Sequence, residues 1–116
     1  TRVKLYRQMG NKAAAEKAKK QAIRVGTKAQ INQQGSGFVW SGRPQQAVEF
    51  FQIAVNKYPK DGNILDNLGD AYARIGQKEK AIPAFKKALT LKQTKASRAN
   101  SLKWLKKFGV DYKTEK

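Results

Sequence analysis

The 116-residue chain contains no cysteine and no histidine. Without cysteine it can form neither a disulfide framework nor a thiolate metal site, and its redox compartment stays open. Without histidine it lacks the commonest general base near neutral pH. We therefore predict that the chain is not an enzyme, that it needs no cofactor and that it holds no metal ion.

Two short patterns resemble parts of catalytic sites. The Gly-Ser-Gly triplet at 35–37 lies in a predicted helix, and it lacks both the preceding strand and the Gly-Lys-Ser/Thr sequence of a phosphate-binding loop. Asp66 and Asp70 are spaced as an acid and base pair on one helix. We expect both to be exposed to solvent, where they lack the burial that separates the pKa values of catalytic carboxylates. Neither pattern changes the prediction.

Long apolar runs are also missing from the sequence. The longest are far short of the roughly 20 residues that cross a bilayer, and no signal peptide is visible. We expect a soluble chain without a transmembrane segment and favour the cytoplasm over the periplasm or secretion. The sequence starts at Thr1 without a methionine, so we expect a processed chain or a part of a larger protein.

Acidic residues are scarce, with 8 Asp and Glu against 25 Lys and Arg, which gives a net charge of +17. The charge is +8 in residues 1–30, zero in residues 31–75 and +9 in residues 76–116. Three interpretations stay open: solvated outer helix faces, an anionic partner protein, or nucleic acid or an anionic membrane. No recognised nucleic-acid fold is present, and aromatic residues are not interleaved with the basic ones as stacking platforms require.

Small and aromatic residues recur at a fixed spacing. One set of landmarks comprises Leu68, Gly69, Tyr72, Gly76, Ala81, Phe85, Ala88 and Leu89. A second set lies 34 residues earlier, at Gly35, Phe38, Gly42, Ala47, Phe51 and Ala54. A fainter copy follows the spacing of small residues at Tyr6, Gly10, Ala15 and Ala22, where Lys19 replaces the large aromatic residue.

This spacing resembles the tetratricopeptide repeat, a pair of antiparallel helices of 34 residues. The resemblance implies an all-α helical-hairpin solenoid in one domain at 1–109. It comprises a degenerate first unit at 1–27, a second at 28–61, a third at 62–95 and a C-terminal capping helix at 96–109, before a frayed tail at 110–116. We predict helices at about 1–9, 11–25, 28–41, 44–57, 62–75, 78–92 and 96–108.

The landmarks have mechanical roles in such a solenoid. Gly35 and Gly69 allow the two helices of a unit to approach closely, and Phe51 and Phe85 fill the gap between units. Gly42 and Gly76 are expected to end helices in a left-handed conformation. Pro44 suits a helix start, and Asp61 suits a helix cap. Pro83 lies inside its helix, so we expect a late helix start or a slight bend there.

The family resemblance implies that the first helix of each unit lines a concave groove that holds another polypeptide. Its inward positions give a predicted site: Asn32, Ser36, Trp40, Asn63, Asp66, Asn67, Asp70 and Arg74. Trp40 is either a groove anchor or buried against a neighbouring helix. Asp66 and Asp70 either are solvated and pair with Arg74, or form an acidic spot that selects a basic peptide.

Some members of this family hold a chaperone C-terminus through a carboxylate clamp of Lys, Asn, Asn, Lys and Arg. Asn67 matches one position of that clamp. Asn32 stands where lysine is expected, and Ser36 stands where asparagine is expected. We therefore reject a cochaperone role.

The sequence predicts a non-catalytic protein-interaction or scaffolding module that binds a peptide or partner segment, with basic flanks that favour an acidic partner. A Leu-Lys-Trp-Leu-Lys-Lys-Phe-Gly segment at 102–109 resembles the helix that ends such repeats where they follow a hydrolase domain. The alternative function is therefore a C-terminal accessory module of a hydrolase. A nucleic-acid adaptor is the third choice.

Overall fold

A computed structural model describes residues 2–112 of the chain, with the side chains of residues 13–112. The described residues contain α-helices and no strand. Six helices follow in order: α1 (Arg2–Val25), α2 (Lys28–Trp40), α3 (Pro44–Lys57), α4 (Gly62–Arg74), α5 (Lys78–Leu89) and α6 (Lys95–Lys107). The all-α prediction is confirmed.

The helices pack as consecutive hairpins. α2 pairs with α3, α4 pairs with α5, and α3 packs against α4 to join the two hairpins. α6 packs on both α4 and α5, and α1 packs on α3. One hydrophobic core runs from Ile23 of α1 through both hairpins to Leu105 of α6. The chain is therefore a helical-hairpin solenoid, elongated to 57 × 29 × 21 Å.

Glycines allow the close helix contacts that the sequence predicted. A Cβ atom added to Gly35 would lie 2.0 Å from the Cζ atom of Phe51, and one added to Gly69 would lie 2.8 Å from the Cε1 atom of Phe85. Both phenylalanine rings are buried in the core. Each hairpin is thus closed by a ring that occupies the space of a missing side chain.

The predicted helix boundaries are confirmed at most of the hairpin ends. Gly42 and Gly76 follow α2 and α4 with φ of 77° and 79°, the left-handed conformation that glycine adopts cheaply. Pro44 opens α3. The Asp61 side chain accepts a hydrogen bond from the backbone N–H of Ile64 and caps α4. α5 starts at Lys78, the predicted position, five residues before Pro83; this excludes the late start considered for Pro83, and the slight bend stays a prediction.

The C-terminal helix α6 has one solvent-exposed face and one face packed on the core. Its lysines Lys103, Lys106 and Lys107 are exposed. The opposite side is buried or half-buried and comprises Ser101, Leu102, Trp104, Leu105 and Phe108. Gly109 follows α6 with φ of 77°. α6 thus ends as α2 and α4 do, which makes it the counterpart of the first helix in each hairpin.

The helix break predicted at Gly10 is wrong. One continuous helix runs over Arg2–Val25, where we expected helices at 1–9 and 11–25. Glycine costs about 1 kcal/mol relative to alanine inside a helix. Good helix formers follow it in the alanine and lysine run at 12–20, and they outweigh that cost. The assignment of residues 1–27 to a degenerate unit stays a prediction.

Polar contacts attach α1 to the first hairpin. Lys19 is buried, and its Nζ atom lies 2.9 Å from Glu49 Oε2 of α3 and 5.8 Å from the ring centre of Phe38. Lys57 Nζ donates to the carbonyl oxygens of Ile23 and Arg24, both at 2.7 Å. These carbonyls lie in the last turn of α1, where a cation also interacts favourably with the helix dipole.

Candidate functional site

One side of the solenoid is a wall built from α2, α4 and α6, which we call the first-helix wall. α4 lies in the middle and contacts both neighbours. Side-chain amides link the helices: Asn67 Nδ2 donates to Asn32 Oδ1 at 2.9 Å, and Asn100 Nδ2 donates to Asp66 Oδ1 at 3.1 Å. Polar side chains thus lie where neighbouring helices of the wall meet, and the wall also contains two recesses.

The first recess lies between α2 and α4, is open on one side and has a volume of about 110 Å³; we call it the Trp40 cavity. Five of the eight predicted site residues meet there. Its lining comprises Ser36, Val39, Trp40, Phe51, Asn67, Asp70 and Arg74.

The second recess, the asparagine cleft, encloses about 340 Å³ where α4 meets α2 and the start of α6. It is lined by Asn32, Asn63, Asn67, Thr94, Ala96 and Ser97. Asn67 borders both recesses, so they form neighbouring compartments on one wall. Of the eight predicted site residues, Asp66 lines neither of these two recesses.

Trp40 is exposed to solvent, which excludes its burial against a neighbouring helix and leaves the role of a groove anchor as a prediction. Its relative exposure is 86%, although it is one of the largest apolar side chains in the protein. Trp104 behaves differently: its ring stacks on Phe85 with centres 6.4 Å apart, and its Nε1 atom donates to Asp70 Oδ2 at 3.2 Å. Trp104 therefore holds α6 in place, while Trp40 offers free apolar surface beside the Trp40 cavity.

Asp70 has both carboxylate oxygens occupied by hydrogen bonds. Oδ1 accepts from Arg74 Nε one helical turn away. Oδ2 accepts from Asn100 Nδ2 at 3.1 Å as well as from Trp104. The two terminal nitrogens of Arg74 donate no hydrogen bond to any other residue within 13–112, and the side chain is half-exposed. At the edge of the Trp40 cavity, which we call its rim, the group with free hydrogen-bond donors is therefore the Arg74 guanidinium.

Asp66 is buried, so the expectation that it is solvent-exposed is wrong. Its relative exposure is 3% because α6 covers it. Ser101 Oγ donates to Asp66 Oδ1 at 2.6 Å, and Asn100 Nδ2 donates to both oxygens. Burial raises the pKa of Asp66 from 3.8 to about 6, the charge of Asp70 adds to this, and the hydrogen bonds from Ser101 and Asn100 oppose it. The side chain joins α4 to α6 and does not face the recesses.

Asn32 and Asn63 also link elements of the wall. Asn32 accepts the hydrogen bond from Asn67. Asn63 Oδ1 accepts a hydrogen bond from the backbone N–H of Thr94 at 2.9 Å and so fixes the start of α6. Both side chains still border the asparagine cleft, where amide groups can meet the backbone of an extended segment.

The site predicted from the sequence did not include the residues of α6 that contribute to the first-helix wall. Asn100 and Trp104 were assigned to a capping helix, although they position Asp66 and Asp70. Gly109 could have indicated their role, because it follows α6 as Gly76 follows α4. Aligning the two glycines places Asn100 one unit after Asn67.

Half of the 8 acidic residues form contacts within the fold. Glu49 pairs with Lys19, Asp61 caps α4 and lies 3.6 Å from Lys28 Nζ, and Asp66 and Asp70 are held by α6.

Within residues 13–112, no group of three acidic side chains is placed to hold a metal ion. None of the helices in residues 2–112 combines the length and apolar character needed to span a membrane.

Two family models match the chain, and both describe the tetratricopeptide repeat. One covers residues 28–61, which include α2 and α3. The other covers residues 63–95, which include most of α4 and all of α5. Together they span more than half of the sequence. No curated protein matches the chain.

Proposed function

Because this chain belongs to the tetratricopeptide repeat family, whose repeats generally mediate protein–protein interaction or scaffolding, we propose that it is a non-catalytic binding module. An extended peptide or partner segment would lie along the first-helix wall. The observation that carries this proposal is the Trp40 cavity, where Ser36, Asn67, Asp70 and Arg74 meet beside an exposed tryptophan.

The two recesses suit different parts of such a segment. The asparagine cleft offers amide groups that pair with backbone N–H and C=O groups without demanding a sequence. The Trp40 cavity offers apolar surface from Val39, Trp40 and Phe51, which suits a side chain. A segment that spans both would combine general backbone contacts with one anchor.

The basic ends of the chain favour an acidic partner. Residues 1–30 and 76–116 carry net charges of +8 and +9. Such fields raise the rate of encounter with an oppositely charged surface, and salt weakens them. We propose that the ends steer the partner and that the first-helix wall holds it.

A Trp40→Ala variant tests the proposal. Peptides that bind the wild-type chain would first be selected from a display library, and their affinities measured by calorimetry. An interface tryptophan commonly contributes about 2 kcal/mol or more, so we expect affinity to fall at least about 30-fold. Because the side chain is exposed, the free energy of unfolding should change by less than about 0.5 kcal/mol.

Val25→Ala is the matched control. Val25 is also an exposed apolar residue, at 68%, but it lies at the end of α1 and lines neither of the two recesses. Its substitution should leave the affinity unchanged. Equal losses in both variants, or an unchanged affinity in Trp40→Ala, would contradict the proposed groove.

The exposed lysines favour nucleic acid as a second candidate partner. α5 carries Lys78, Lys80, Lys86 and Lys87 on exposed positions, with Glu79 as its acidic residue. Binding to duplex and single-stranded DNA and RNA across a salt series tests this function. Absence of binding at low salt would exclude nucleic acid as a partner.

A further inference from the structure

We infer that the Trp40 cavity selects its partner segment through one aliphatic side chain next to an acidic residue. The inference rests on the proposed function, because it specifies the peptide that the first-helix wall would hold. It depends on the size and apolar lining of the cavity and on the charge at its rim.

The size of the cavity limits the side chain that can enter. At about 110 Å³ it is smaller than the roughly 150 Å³ of a cavity that accepts benzene. Val39, Trp40 and Phe51 supply apolar surface, and the Phe51 ring is fixed in the core against Gly35. The recess is open on one side, so a branched aliphatic side chain can enter it whole, while a large aromatic ring would leave part of its surface outside.

The rim attracts a carboxylate. Asp70 already accepts hydrogen bonds from Arg74, Asn100 and Trp104, so most of its acceptor positions are taken before a basic residue could bind. The terminal nitrogens of Arg74 stay open at the rim, and guanidinium groups bind carboxylates well. Asp66, the other acidic residue of the predicted site, is buried under α6. The selection of a basic peptide considered from the sequence is therefore disfavoured.

The source of the carboxylate is an Asp or Glu side chain within the segment. A second cation lies on α6: Lys107 Nζ is 5.0 Å from the ring centre of Trp104, whose Nε1 atom donates to Asp70. A terminal carboxylate could meet Arg74 in one orientation of the segment only. An acidic side chain on each side of the anchor would present a carboxylate to Arg74 in either orientation.

A panel of short peptides with acetylated and amidated ends tests these features by calorimetry. The reference peptide carries one leucine flanked by glutamates. Its relatives carry alanine or tryptophan in place of leucine, or lysines in place of the glutamates. Each change should weaken binding about tenfold or more, since it removes buried apolar surface, exceeds the cavity or repels Arg74.

Arg74→Gln separates the rim from the cavity. The variant leaves the Asp70 carboxylate without its cationic partner, so the preference for glutamate flanks should disappear or reverse towards lysine flanks. The preference for leucine over alanine should persist. Lys86→Gln removes the same charge from an exposed position on α5 and should change neither preference.

The outcomes separate this inference from the proposed function. Library peptides that lose affinity in Trp40→Ala but carry lysine flanks, or no aliphatic anchor, would overturn the inference and keep the groove. Binding that requires a free C-terminus would also overturn it, and so would a failure of the whole panel to bind. If no library peptide binds the chain at all, the proposed function fails as well.

Discussion

Gly35 and Gly69 each face a phenylalanine ring of the second helix in the same hairpin. The absent side chain is a structural requirement at both positions, since an added Cβ atom would fall 2.0 Å from Phe51 or 2.8 Å from Phe85. Gly37 lies in α2 as well, yet an added Cβ atom there meets nothing within 4 Å. Glycines of one helix therefore have opposite consequences for stability.

Gly69→Ala is expected to lower the free energy of unfolding by about 1–3 kcal/mol, because the new methyl group displaces the Phe85 ring. Gly37→Ala should instead raise it by up to about 1 kcal/mol, since alanine is the better helix former. Urea denaturation of both variants measures the difference. A stable Gly69→Ala variant would show that the hairpin can open without cost.

Asp66 makes the stability of the chain depend on pH. Its pKa is raised from 3.8 to about 6 in the folded chain, so the folded state binds the proton more tightly than the unfolded state. Its contribution to stability is therefore fully present below about pH 3.8 and is lost as the pH rises through about 6. The carboxyl is charged and buried at pH 7, the condition that costs the fold most.

Comparison with Asp66→Asn isolates this effect from the other carboxyl groups. The free energy of unfolding of the wild type, minus that of the variant, should rise by up to about 3 kcal/mol as the pH falls from 7 to 4. Urea denaturation at a series of pH values measures it. A difference that stays flat or falls on acidification would place the carboxyl in contact with water.

At the scale of the helix, local sequence signals determined most boundaries. Pro44 starts α3, Asp61 caps α4, and Gly42 and Gly76 end α2 and α4, each through its own backbone chemistry. Gly10 misled because a single glycine in a strongly helix-forming run only lowers the stability of that helix. Burial of Asp66 was not predictable from its own helix, because it depends on the position of α6.

Thr94 provides a test of how α6 is held. Its hydroxyl oxygen accepts a hydrogen bond from the backbone N–H of Ser97 at the first turn of α6. Thr94→Ala should cost about 1 kcal/mol of stability and speed amide exchange in α6. Thr90→Ala serves as the control, since the Thr90 hydroxyl only bonds a carbonyl at the exposed end of α5. Equal effects in the two variants would contradict the capping role.

At the scale of the whole molecule, the helices share one core and expose one wall. The spacing of small and aromatic residues predicted the solenoid, because each landmark serves a contact that recurs in every unit. Five members of the predicted site meet in the Trp40 cavity for the same reason. The sequence could not predict which site residues stay free to bind a partner and which are already hydrogen-bonded within the fold. That depends on side-chain hydrogen bonds such as those from Asn100 and Trp104.

Amide and indole chemical shifts of the labelled chain, recorded while a library-selected peptide is added, test the binding wall most directly. If the peptide lies on the first-helix wall, shifts should concentrate on α2, α4 and α6, with the Trp40 indole and Asn67 among the largest. Shifts confined to the outer faces of α3 and α5, or spread evenly over the exposed lysines, would contradict a groove and leave only charge attraction.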